Sequence, residues 1–147
     1  MALMLLPYWT DGCIGSMEGL FFESSMTTPF HFLMQTELSE APSSAQRNMP
    51  YSGFDMGLGV QHLQLMGVRY YMATSEQAIE AARNQPALTE VARSGPWEVF
   101  EVADSELVVP LAYEPAVLEG VGHGAADWVE EPRAWAATAE QGQRMTP

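Results

Sequence analysis

The clearest patterning of apolar and polar positions lies between residues 59 and 111, GVQHLQLMGVRYYMATSEQAIEAARNQPALTEVARSGPWEVFEVADSELVVPL. Just ahead of and within it, Phe54, Leu58, Val60, Leu63 and Leu65 fit a short amphipathic helix over residues 54–66, with Gly67 as its stop. Branched and aromatic side chains then crowd residues 68–73, which predicts a strand. Thr74 or Ser75 can cap the next helix, and Thr74 with Gln77 has capping-box spacing. That helix is expected to run to Asn84, with Pro86 just beyond. Residues 88–93 predict a short strand, Ser94, Gly95 and Pro96 a turn, residues 97–103 a further strand, and Asp104 with Ser105 another turn. Residues 107–111 and 116–121 read as extended runs broken by proline, which favours sheet edges because proline cannot donate to a ladder. The order helix, strand, helix, strand, strand predicts an α+β fold: a small, mainly antiparallel or mixed sheet with two or three short helices.

Residues 1–53 lack regular periodicity and are punctuated by DGCIGS, ESSMTTP, SEAPSSAQ and NMPYSG. Tyr8, Trp9, Phe21, Phe22, Phe30, Phe32 and Tyr51 are interleaved among these turns. A disordered linker carries few aromatics, so the expectation is an ordered region of short strands and turns with one helical turn over residues 30–35. Residues 1–121 thus form one domain, with an irregular part at 1–53 and the patterned unit at 54–121. Residues 122–147 form a Gly-rich loop and helical tail, in which Trp128 and Trp135 share a helical face and Pro132 interrupts. The apolar start MALMLLP lacks the basic residues and cleavage site of a signal peptide, and fits equally the tail of a longer element upstream. No run approaches the roughly 20 apolar residues a membrane helix needs.

Charge narrows the function classes. Nineteen acidic residues face six arginines and no lysine, for a net charge of −13. An acidic surface repels nucleic acid and anionic headgroups, so neither is an expected partner. Cys13 is the single cysteine, which excludes an internal disulfide and a cysteine-built zinc site.

Candidate chemistry is sparse. Glu18 and Glu23 flank an apolar patch in SMEGLFFESS, and a carboxylate pair beside aromatics is what sugar hydrolysis or acceptor deprotonation uses; two surface glutamates on a loop is the plainer account. His31 sits between Phe30 and Phe32 and can polarise a substrate or hold a metal, although a histidine so placed more often bonds to backbone. His62 and His123 show no ligand spacing with it. Trp9, Tyr51 and Trp97 are candidate sugar-stacking platforms, against the alternative that they build the core. No GxSxG, dinucleotide fingerprint or phosphate loop occurs, and no cofactor is expected. Substrate-binding candidates are therefore Glu18, Glu23, His31, Trp9 and Tyr51, with no catalytic residue assigned.

Two stretches carry a resemblance. LMGVRYYMA followed by a helix, and then GPWEVFEVADSELVVPL, resemble the soluble region of polytopic membrane proteins of the YfhO-like and GT-C glycosyltransferase type. The upstream LPYWTDGCIGSMEGLFFESSMTTPFHFL is similar to the segment that follows the last membrane spans in related actinobacterial proteins. The resemblance implies an extracytoplasmic domain of envelope glycan assembly, partnered by the membrane-embedded portion of a parent protein and by glycan or lipid-linked sugar. In such enzymes the catalytic acid lies in a loop between the first membrane helices. This chain has no such helices, so the resemblance implies acceptor binding or support rather than catalysis. A free-standing carbohydrate- or protein-binding module and a small glycoside-type hydrolase are the alternatives.

Overall fold

A computed structural model describes residues 5–16, 28–42, 49, 51–110 and 112. Glu18, Glu23, His123, Trp128, Trp135 and the run at 116–121 lie outside the described residues. The elements run α1 (Leu6–Trp9), α2 (Thr28–Leu38), α3 (Met56–Leu65), β1 (Tyr70–Ala73), α4 (Glu76–Arg83), β2 (Leu88–Ser94) and β3 (Trp97–Val102). The fold is α+β with a small antiparallel sheet. Its second half follows the order helix, strand, helix, strand, strand.

Local chemistry explains where the elements begin and end. Asp55 caps α3 by accepting the Leu58 amide at 3.1 Å. The helix stops in a Schellman turn: the Val68 amide reaches the Leu63 carbonyl and the Gly67 amide the Gln64 carbonyl. Gly67 sits at φ +64°, the left-handed region that glycine enters without strain. Ser75, not Thr74, caps α4, its hydroxyl accepting from the Ala78 amide at 3.3 Å. Glu76 in the first turn of α4 and Arg83 in its last both suit the helix dipole.

β3 is the central strand and pairs antiparallel with β1 on one side and β2 on the other. β1 and β2 therefore run parallel, joined by α4 across the strand inserted between them. A two-residue turn at Gly95 and Pro96 closes the β2–β3 hairpin, with Ser94 opposite Trp97 and Gly95 at φ +56°. β2 carries a bulge between Glu90 and Ala92. Strict alternation would put Arg93 on the opposite face from Leu88 and Glu90. The extra residue shifts the register so that Arg93 faces Glu98, on the same side as Leu88 opposite Val102.

One face of the sheet carries the core. Tyr71, Ala73, Leu88, Phe100 and Val102 are buried with Ala78 and Ala82 of α4, Met56, Val60 and Leu63 of α3, and Leu33, Met34 and Leu38 of α2. α2 packs against α3, α4 against β2 and α3 against β3. The Tyr71 hydroxyl donates to the Leu38 carbonyl at 2.7 Å, tying the sheet to the end of α2. Burial pushes that phenol up to about 12.

The structure revises three expectations. α2 is an eleven-residue helix where one turn was expected, and the described part of residues 1–53 contains helices and turns but no strand. Residues 107–110 form no strand, and Leu107 is 92% exposed. Leu65, placed on the apolar face by spacing, is exposed, whereas His62 is buried among the core positions of α3.

Candidate functional site

Two polar constellations stand out among the described residues. The first is inside the helical layer. Glu37 near the end of α2 and His62 on α3 approach to 2.6 Å, Oε2 to Nδ1, and each side chain is 1% exposed. The second carboxylate oxygen of Glu37 accepts from Ser52 at 3.3 Å, and the Ser52 and Thr36 hydroxyls lie 3.2 Å apart. Thr36 in turn donates to the Leu33 carbonyl at 2.7 Å. The network thus links α2, α3 and the segment ahead of α3, reinforced by the Asp55 amide on the Glu37 carbonyl at 2.9 Å.

Its chemistry is limited by its geometry. In a Ser–His–carboxylate triad the carboxylate holds one ring nitrogen and the hydroxyl meets the other. Here Ser52 instead sits on the carboxylate, on the far side from the imidazole. The arrangement orients an imidazole and gives both carboxylate oxygens a partner, which is what a polar pair in a low-dielectric interior requires.

The second constellation is at the surface. Glu98 of β3 is 6% exposed although it is a carboxylate on a strand. Its Oε1 receives Arg83 of α4 at 2.6 Å and Arg93 of β2 at 3.0 Å. Arg93 is itself held by Glu90 at 3.0 and 3.2 Å. An open cleft of about 520 Å³ lies over this cluster, lined by Thr74, Glu76, Ile79, Glu80, Arg83 and Glu98.

The residues singled out from sequence do not converge. Trp9 is exposed on α1, beside the exposed Tyr8. Tyr51 is half-buried and packs against the core cluster. His31 is half-buried on α2, and burial lowers its pKa from the ordinary histidine value, favouring the neutral ring. Trp97 is half-buried on the sheet face away from the helices. Glu37, Ser52 and Glu98 were not found by sequence reasoning. Glu98 was legible in principle: in WEVFEV it alternates with Phe100 and Val102, so it lies on the core face of its strand. Glu37 had no comparable signal.

Among the described residues, no three acidic, histidine or cysteine side chains gather as a metal set, and no helix is long and apolar enough to cross a membrane. No protein-family model, no curated protein and no solved structure matches this chain.

Proposed function

We propose that this chain is a non-catalytic accessory domain, the extracytoplasmic portion of a membrane glycosyltransferase-like protein, which supports or presents an acceptor for envelope glycan assembly. The observation that carries this reading is the run Leu107, Val108 and Val109. All three side chains are exposed, a few residues after β3 and just ahead of Pro110. Three adjacent branched aliphatic side chains left in water favour a covering surface. The occupant favoured here is the membrane-embedded lobe of the parent protein, consistent with the resemblance carried by LMGVRYYMA and GPWEVFEVADSELVVPL. The sealed position of Glu37 and His62 agrees with a supporting role, since the best-formed carboxylate–imidazole pair among the described residues joins two helices.

The genomic reading frame tests this directly. A frame that continues upstream of Met1 through several apolar spans of roughly 20 residues supports the proposal. A stop codon in frame immediately ahead of Met1, with a ribosome-binding site between, overturns it.

Tyr8 and Trp9 support a second reading, a glycan-binding module. Their adjacent exposed rings are suited to stacking on the C–H face of a sugar. A glycan array with wild type and Trp9→Ala decides this one: binding lost with the ring supports it, and a blank wild-type array removes it.

A further inference from the structure

β2 is an edge strand, with β3 on one side and no strand on the other among the described residues. Every residue from Thr89 to Ser94 is exposed. An open edge is a template for another strand unless charge, proline or a bulge blunts it. β2 carries both a bulge and charges, and their placement suits one particular pairing.

The direction of the main-chain groups follows from β3. The Val102 amide donates to the Arg69 carbonyl, on the β1 side, and the Ala103 amide to the Ala87 carbonyl, on the β2 side. Successive residues of an antiparallel strand turn their main-chain groups to opposite sides. Val102, Phe100 and Glu98 therefore serve β1. The residues opposite them on β2, which are Leu88, Glu90 and Arg93, turn their N–H and C=O to the open edge. Thr89, Ala92 and Ser94 spend theirs on β3. The extra residue at the bulge thus brings Glu90 and Arg93 into the outward set and onto one face, where Arg93 donates to Glu90 at 3.0 and 3.2 Å. Both side chains stay open to solvent, Glu90 at 36% and Arg93 at 54% exposed.

The geometry points to a second copy of this chain as the partner of this edge. The two β2 strands pair antiparallel across a two-fold axis, with Glu90 of each copy opposite Arg93 of the other. Both members of each pair present outward main-chain groups, so each pair can exchange both N–H···O bonds. Carboxylate meets guanidinium twice, Thr89 falls opposite Ser94, and Val91 falls opposite Ala92. A slip of one residue sets Glu90 against Ala92 or Ser94, whose main-chain groups are already used by β3. A two-fold axis centred on Glu90 or on Arg93 would oppose like charges. Arg93 keeps Glu98 in this arrangement and exchanges only its contact with Glu90. The contact is one strand wide, below the roughly 1,200 Å² of a standard stable interface, and each copy carries a net charge of −13, so the dimer is weak and concentration-dependent.

Sedimentation velocity and amide NMR of the nitrogen-labelled full chain are followed from dilute solution to about 1 mM, at about 0.15 M salt to screen the repulsion between copies. The expected result is a concentration-dependent shift to dimer, in which the Glu90 and Arg93 amides move and gain protection from exchange. In a mixture of labelled and unlabelled chain, filtered NOEs between Val91 and Ala92 methyl groups of different copies mark the register. Glu90→Pro removes an N–H that β3 does not use, so it should abolish the dimer and leave the β3 amide shifts in place. Glu90→Arg sets like charges across the two-fold axis and should weaken association roughly tenfold or more. Its exposed position keeps the test open should proline disturb the strand. A chain that stays monomeric to about 1 mM overturns the proposal and makes the bulge a guard of the edge. Dimers of equal affinity in wild type and Glu90→Arg overturn it too, and place the interface on another surface.

Discussion

Glu37 and His62 close a 2.6 Å contact between α2 and α3 with both side chains 1% exposed. Such a pair is expensive to break from one side, because the survivor keeps its desolvation penalty without its partner. His62→Leu should therefore destabilise the fold by about 3–5 kcal/mol. The double variant Glu37→Leu/His62→Leu should recover most of that loss, since apolar replacement of both members leaves neither without its partner. Urea denaturation of the four forms of the cycle checks this. Additive losses in the double variant rule out a coupled pair.

The approach of the same two helices makes a second demand. A Cβ built on Gly59 would lie 2.5 Å from Leu38 Cδ2 and 3.3 Å from the Glu37 Cβ. Replacing a helical glycine by alanine ordinarily gains about 1 kcal/mol of propensity. Here overpacking against a buried leucine costs about 1–3 kcal/mol, so the net change should be destabilising. Leu38→Ala makes room for the added methyl. Gly59→Ala should therefore cost much less in that background than in wild type, as measured by thermal or urea unfolding.

These contacts show what could be read from the chain and what could not. The caps and stops of the second half were legible because they are local: Ser75 before an amphipathic octamer, Gly67 and Gly95 where φ must turn positive, and alternation in WEVFEV. α2 was not legible. Helical spacing is easiest to see when one face is polar, and α2 buries Phe32, Leu33, Met34, Thr36, Glu37 and Leu38 on several sides. For the same reason the burial of His62 on α3 left no mark in its own stretch of sequence, since its partner comes from α2, 25 positions away. The bulge in β2 depends on pairing with β3 and leaves no mark in the strand's own sequence.

Tyr71 gives the fold a limit at high pH. Its phenol is buried, donates to the Leu38 carbonyl and is pushed from 10.0 up to about 12. A group whose folded pKa is raised adds stability that is fully present below the unfolded value and is lost as pH rises through the folded one. The chain should therefore lose about 3 kcal/mol between pH 10.0 and about 12 through this residue. Tyr71→Phe should cost about 1 kcal/mol at neutral pH for the missing hydrogen bond and flatten the alkaline slope. Denaturation midpoints across that pH range, with tyrosinate absorbance of wild type minus variant, give the comparison. An unchanged slope in Tyr71→Phe would show that the phenol is not the group responsible.

Arg83 and Arg93 should behave as substitutes for one another. Both reach Glu98 Oε1 and both are substantially exposed, so each alone is worth little: Arg83→Ala or Arg93→Ala should cost less than about 1 kcal/mol. The double variant strips a carboxylate that is 6% exposed of both described partners. Its loss should exceed the sum of the singles by about 1–2 kcal/mol, the discount from a fully buried pair reflecting water that can enter as the arginines leave. Glu98→Val tests the same account from the other side. It removes the buried carboxylate, places a strand-favouring side chain beside Phe100, releases Arg83 into solvent and leaves Arg93 on Glu90, so stability should stay within about 1 kcal/mol of wild type or rise. A large loss in Glu98→Val would mean that the ion pairs hold the hairpin against α4.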